Sequence, residues 1–312
     1  PLATLHSALS DRERLDAYLD VSGGRAAILL GTRSALFTPI PNLGLIVIDE
    51  EHDQSFKQSD GFRYHARSLA AVRARDCGCP LVLGSATLSL ETLYNVQRGL
   101  YRRLILSTRT AGARPPAVEL IDLRREPLNA GLRCGISNTL EQRIGEETAR
   151  GNQVLLFLNR RGFAHRVFCH RCGLVMRCPD CDLLLTYHAG DHRMHCHECG
   201  HSEPRPMRCP NCHEGELIDQ VYGTEQVENY LRRRFPDTGI ERIDRDSATT
   251  RAQLEAHLER IRTRQSLILL GTQIIAKGHD FPDVTLVGVL DADAGLFSDD
   301  FRALEGTAQL LT

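Results

Sequence analysis

Leu45-Ile46-Val47-Ile48-Asp49-Glu50-Glu51-His52 is the stretch on which the fold turns. Four apolar residues in a row, three of them β-branched, run directly into acids. A short continuous apolar run of this kind reads as a strand buried on both faces of a parallel sheet. The carboxylates of Asp49 and Glu50 then stand at the C-terminal edge of that sheet, where open α/β folds bind their ligands.

The same pattern recurs at 28–30 (Ile-Leu-Leu) and 81–83 (Leu-Val-Leu), with a helix-like stretch from Ala66 to Arg75 between strands. It returns at 154–158, 267–270 and 284–290. Alternating β and α segments, twice over, predict two parallel-sheet lobes of an α/β protein. Between them the Pro- and Gly-bearing stretch 113–137 is expected as a linker. The first lobe is thus placed at 1–112 and the second at 138–165 and 217–312. From 166 to 216 the apolar periodicity gives way to Cys, His, Pro and Gly, which marks an insertion into the second lobe.

Composition bounds the function classes. The 312 residues are 42% hydrophobic and 25% charged, a globular composition large enough for two cores. No run of about 18 uncharged apolar residues occurs, so no membrane partner is expected. The first residues, Pro1 to His6, carry neither Met nor a signal pattern and are read as a cut point. A formal net charge of −2 leaves nucleic acid open, and the Arg clusters at 102–103, 124–125, 160–161 and 232–234 are expected mainly as solvated surface.

Eight of the 11 cysteines fall within 169–212, in four Cys-x-x-Cys pairs: Cys169/Cys172, Cys178/Cys181, Cys196/Cys199 and Cys209/Cys212. Two thiolates in one tight turn supply an edge of a zinc tetrahedron, so eight predict two structural Zn2+ ions in a reducing compartment. Gly173 and Gly200 after their pairs, and Pro179 and Pro210 within theirs, fit such turns. A nested arrangement, inner pairs together and outer pairs around them, suits the loop lengths; a crossed arrangement (first with third, second with fourth) also remains. Four thiolates leave no open coordination position, so the zinc is not expected to be catalytic. With the thiolates sufficient, the eight histidines between His165 and His213 are expected at the surface or behind the ligands.

Further polar motifs follow the other apolar runs. Gly31-Thr32-Arg33-Ser34-Ala35 could contact phosphates through Thr32 and Arg33. Gly84-Ser85-Ala86-Thr87, Phe157-Leu158-Asn159-Arg160-Arg161-Gly162 and Gly271-Thr272-Gln273-Ile274-Ile275-Ala276-Lys277-Gly278-His279 complete the set. Taken in order, with the cysteines between the last two, these boxes resemble the helicase core of the PriA-type primosomal replication-restart proteins (primosomal protein N′), superfamily 2 DNA helicases. The resemblance covers about residues 4–312.

That resemblance implies two RecA-like lobes with a Cys-rich two-zinc module inserted in the second. It implies an ATP-dependent 3′-5′ DNA helicase of replication restart in the bacterial cytoplasm. Its partners would be forked or single-stranded DNA, other primosome proteins and the machinery that loads the replicative helicase. Asp49 would hold Mg2+ and Glu50 would be the catalytic carboxylate, with His52, Ser85 and Thr87 coupling two strand edges and Lys277 facing the ATP site. Thr272, Gln273 and Arg160 would face DNA. Between Phe56 and Arg67, the residues Phe56, Lys57, Phe62, Arg63, Tyr64, His65 and Arg67 interleave aromatics with cations, which suits stacking on a single strand. A Gly-x-Gly-Lys-Thr phosphate loop occurs nowhere in the 312 residues, and the family's Arg-rich finger motif belongs beyond the helix around Leu304 to Leu311. The first lobe is therefore expected to be incomplete, and these residues alone to neither hydrolyse ATP nor unwind DNA. A second expectation is a non-catalytic, zinc-stabilised DNA-binding and primosome-interaction fragment. A zinc ribbon of translation or transcription would leave the Asp49–His52 and Gly84–Thr87 boxes unexplained.

Overall fold

The structure, a computed structural model, describes residues 1–108, 116–158, 164–188, 190–244, 247–248, 250–272, 281–298 and 300–312. It divides into two units, Pro1–Arg109 with Ala308–Thr312, and Thr110–Thr307.

In the first unit, strand β1 (Leu2–Leu5) pairs in parallel with β2 (Ile28–Gly31) across helix α1 (Asp11–Ser22). The helix begins at a capping box: Ser10 takes the Glu13 N–H while the Glu13 carboxylate takes that of Ser10. Strand β3 (Ile46–Ile48) pairs in parallel with β4 (Leu81–Leu83), and helix α2 (Ala66–Cys77) lies between them in sequence. Gly78, at φ +65°, ends α2 in the left-handed conformation that glycine adopts without strain. Helix α3 (Leu90–Gln97) starts from the Ser89 cap soon after β4.

The second unit holds a four-stranded, all-parallel sheet in the order β11 (Ile240–Ile243), β12 (Ile268–Gly271), β5 (Gln153–Leu158), β13 (Val284–Leu290). Helices α4 (Asn138–Ala149) and α5 (Thr224–Arg234) pack on it, and their Leu140, Ile144, Val227 and Leu231 share one core with Val154, Leu156, Ile268 and Leu270. Each such side chain contributes roughly 1.5–3 kcal/mol on leaving water.

The strands foreseen from apolar runs are present, but their burial differs between the units. Ile268, Leu269 and Leu270 of the interior strand β12 are fully buried, whereas Ile28 is 62% and Val47 60% exposed. Each first-unit strand belongs to a two-stranded pair, so every one of them is an edge among the described residues.

Strands β6 (Ala164–Cys169) and β10 (Leu217–Tyr222) form an antiparallel stem that carries the insertion. Beyond the stem, β7 (Thr186–His188), β8 (Arg193–His195) and β9 (Ser202–Pro204) make a small antiparallel sheet. The stretch read as a linker is well packed at its C-terminal end. Leu132 is fully buried against Phe168 and Ile218 of the stem, Ile136 joins the sheet core, and the Glu126 carbonyl meets His170 Nε2 at 2.8 Å. Among the described residues no helix is long and apolar enough to cross a membrane.

Candidate metal centre and strand-edge site

The eight cysteines gather into two groups of four, Cys169, Cys172, Cys209 and Cys212, and Cys178, Cys181, Cys196 and Cys199. This is the nested arrangement, and the crossed one is thereby excluded. The Sγ atoms stand 3.7 Å apart for Cys169–Cys212 and 3.6 Å for Cys172–Cys209 in the outer group. In the inner group Cys178–Cys199 measures 3.5 Å and Cys181–Cys196 3.4 Å. Zinc–sulfur bonds of about 2.3 Å give a tetrahedron with edges of about 3.8 Å, so both groups fit one tetrahedral ion each.

The backbone explains why these turns form. In each pair the first cysteine's carbonyl accepts the N–H four residues on: Gly173, Asp182, Gly200 and His213, at 2.8–3.1 Å. All four of those residues are left-handed, at φ +76°, +61°, +77° and +59°. Two are the glycines the sequence pointed to; Asp182 and His213 occupy the equivalent place in the other two turns, being among the residues that tolerate this region best. The buried Cys169, Cys178, Cys196 and Cys209 pack with Val167, Met176, Leu185, Met194 and Leu217 into a core of the module's own. The thiols differ in their surroundings: the backbone N–H of Leu174 and the Asn211 amide lower the Cys172 pKa to about 6, the N–H groups of Cys199 and Glu198 lower that of Cys196 to about 6, and burial raises that of Cys169 to about 12.

At the strand edge of the first unit, Asp49 and Glu50 follow β3 and both are exposed. Asp49 Oδ1 accepts the Glu50 N–H at 3.0 Å, and Glu50 itself is left-handed at φ +48°. A Cβ added at Gly84 would lie 3.3 Å from Asp49 Oδ1, so the small residue after β4 leaves room for that carboxylate. His52 Nδ1 lies 2.7 Å from Ser85 Oγ and 3.4 Å from Glu50 Oε2. Ser85 Oγ in turn accepts the Thr87 N–H and donates to the Thr87 carbonyl. One imidazole thus touches both the acid after β3 and the hydroxyl after β4.

The PriA DNA helicase Cys-rich region family matches residues 178–204, which contain the inner cysteine group, and the Helicase conserved C-terminal domain family matches residues 213–305. The chain is 47% identical to the replication restart protein PriA of Haemophilus influenzae over 98% of its own length and 41% of that protein's. With the Bacillus subtilis PriA it shares 44% identity, covering 100% of this chain and 38% of the relative; with that of Treponema pallidum, 42%, covering 99% and 46%. This chain belongs to the PriA family. It spans about two fifths of the length of these PriA relatives. The PriA cysteine-rich region supplies the metal class: two tetrahedral all-thiolate sites have the chemistry of structural zinc.

Within this PriA core the structure brings some foreseen residues together and separates others. Arg33 Nη1 bonds the carbonyls of Ser55 and Lys57, both at 2.8 Å, and its guanidinium lies 6.0 Å from the Tyr64 ring. It therefore clasps the segment after His52, while Thr32 is exposed. Lys57 and His65 bridge in antiparallel fashion and close a hairpin-like loop. On it Phe62 is 76% exposed, Lys57 and Arg63 are exposed, and Phe56 and Tyr64 are half-buried. Tyr64 packs edge-on against Phe37. Thr272 follows β12 and is half-buried. Arg160, Gln273 and Lys277 lie outside the described residues.

Arg67, grouped in the sequence with the loop cations, needs correcting. It is buried, and its Nη1 reaches Glu51 Oε2 at 2.5 Å and Ser89 Oγ at 2.5 Å, with Nη2 3.2 Å from Glu91. Glu51, absent from the residues expected at the strand edge, is completely buried and also accepts from the Ser89 N–H (2.7 Å), Ser89 Oγ (3.0 Å) and Thr92 Oγ1 (3.0 Å). Burial pushes its carboxyl pKa up, but the Ser89 amide and the Arg67 guanidinium more than offset this and hold it below the usual range. The network ties the end of β3 to the starts of α2 and α3. The only sequence signal for it was three acids where the edge chemistry uses two.

Proposed function

We propose that the full-length protein is an ATP-dependent DNA helicase of replication restart, acting 3′ to 5′ on forked DNA in the bacterial cytoplasm together with other primosome proteins. The observation that carries this reading is His52 bridging Glu50 and Ser85, because it links two strand-edge motifs of a PriA-family core through one side chain. Asp49 and Glu50 fit an ATP–Mg2+ group: they are exposed, hard oxygen donors at the C-terminal edge of parallel strands. Bound there, ATP–Mg2+ would supply the free energy of phosphoryl transfer. Asp49 would hold the cation, and Glu50 would orient water and take its proton. His52 would pass the state of Glu50 to Ser85 and Thr87.

The lobes are taken as 1–112 and, in two pieces, 138–165 with 217–312, the zinc insertion being 166–216. Phe62, Tyr64, Lys57 and Arg63 would meet single-stranded DNA, the exposed Phe62 by stacking and the cations at phosphates. Thr272 would contribute from the second lobe, along with Arg160 and Gln273, while Lys277 would face the ATP site. The test is Glu50→Gln in the full-length protein. DNA-stimulated ATP hydrolysis should fall by roughly 10²–10⁴-fold while single-strand binding persists. Unchanged hydrolysis would remove Glu50 from the reaction.

A further inference from the structure

Three histidines of the insertion meet outside the two cysteine groups. His188, the last residue of β7, and His197, inside the Cys196–Cys199 turn, point Nε2 at Nε2 across 3.2 Å. His195, on β8, packs edge-on against His188 with ring centroids 4.7 Å apart, and its Nε2 holds Asp191 Oδ2 at 2.5 Å. These four side chains line a cleft of about 530 Å³. Two neutral imidazoles can share such a contact only if one donates a proton to the other, and two charged ones would repel.

A single cation between them satisfies both lone pairs. Bonds of about 2.0 Å from a tetrahedral metal put neighbouring nitrogens about 3.3 Å apart, close to the separation seen. The positions are also held from outside: His197 by the cysteine turn around it, and His188 by its pairing with Arg193 in the β7–β8 sheet. We propose that His188 and His197 form a third metal site for a borderline divalent transition ion, completed by water, with the His195–Asp191 pair at the rim of the cleft. Imidazole ligands suit zinc, copper and nickel, and the site's nitrogen donors set it apart from the all-sulfur zinc sites. A bound ion would cross-link the β7–β8 hairpin to the inner cysteine turn.

The test uses untagged full-length protein with both cysteine sites loaded with zinc, titrated calorimetrically with Ni2+ alone while zinc content is followed. One Ni2+ should bind with the two zinc ions retained. The double substitution His188→Ala, His197→Ala should weaken that binding by at least roughly tenfold, on the scale of losing ligands, and still retain two zinc ions, showing that the module remains folded. His192→Ala, which removes only a partner of Tyr187, should leave Ni2+ binding intact. Absence of Ni2+ binding, uptake matched by zinc release, binding that survives the double substitution, or loss of binding in His192→Ala would each overturn the proposal.

Discussion

The zinc module and the strand-edge site use acidic or sulfur ligands in short, dense motifs, yet they distribute those groups in opposite ways. In the module all eight cysteines share one role, and four turns of nearly the same backbone geometry deliver them. In Asp49-Glu50-Glu51 three adjacent carboxylates part company: two are exposed at the strand edge, and the third is fully buried under Arg67, Ser89 and Thr92. A metal imposes identical chemistry on every ligand, whereas a strand end sends neighbouring side chains into different surroundings. Spacing therefore predicts the first kind of site and underdetermines the second.

The largest effect should come from breaking the metal side of this contrast. Stripping zinc with a strong chelator should unfold the insertion, since structural zinc supplies on the order of 10 kcal/mol to modules of this size. Loss of the β7–β9 amide protection in hydrogen exchange, with the β5–β12 sheet still protected, is the expected outcome. Intact protection in the metal-free module would show that the apolar core of Val167, Met176, Leu185 and Met194 suffices on its own.

Next comes the buried carboxylate. Glu51→Gln leaves Arg67, only 9% exposed at its side chain, without its buried counter-charge and with only the more exposed Glu91 at 3.2 Å, and should cost up to roughly 3–5 kcal/mol in denaturant unfolding of the first unit. Because the folded Glu51 pKa lies below the ordinary 4.5, its contribution is full above that value and is lost as pH falls through the folded pKa. The wild-type stability curve should therefore bend downward below about pH 4.5, and the variant's should bend less there. Identical acid limbs would place the buried charge elsewhere.

The smallest effect probes the turns. Gly200→Ala meets no atom within 4 Å, so its cost is the backbone's alone at φ +77°, about 1–2 kcal/mol. The difference should appear as a lower midpoint of thermal unfolding of the module at constant zinc content. A neutral result would mean that the left-handed position is not under strain.

Much of the architecture was legible because apolar runs and cysteine spacing are local signals. The strands β2 to β5, β12 and β13 and helix α2 stand where the runs placed them, and the loop lengths favoured the nested cysteine groups that the structure contains. What escaped was long-range. Glu51 and Arg67 are sixteen residues apart and Glu51 and Thr92 forty-one, and no periodicity links them. Arg67 looked like a loop cation because its neighbours His65 and Tyr64 are loop residues; it is instead the second residue of α2, and the helix turns it inward. Likewise 132–136 looked like linker from its Gly content, although Leu132 and Ile136 are wholly buried. The exposed residues of β2 and β3 differ from the expected two-sided burial, and among the described residues each of these strands pairs with one other only.

We propose a division of labour in which the strand-edge site would drive the motor and the zinc module would serve DNA handling and primosome assembly. It is tested most directly by Cys196→Ser with Cys199→Ser in the full-length protein, measuring zinc content, DNA-stimulated ATP hydrolysis and fork unwinding side by side. One zinc ion should be lost from the inner group, unwinding severely impaired and hydrolysis largely kept, because Asp49, Glu50, His52, Ser85 and Thr87 all lie outside the insertion. Equal loss of hydrolysis and unwinding would contradict it.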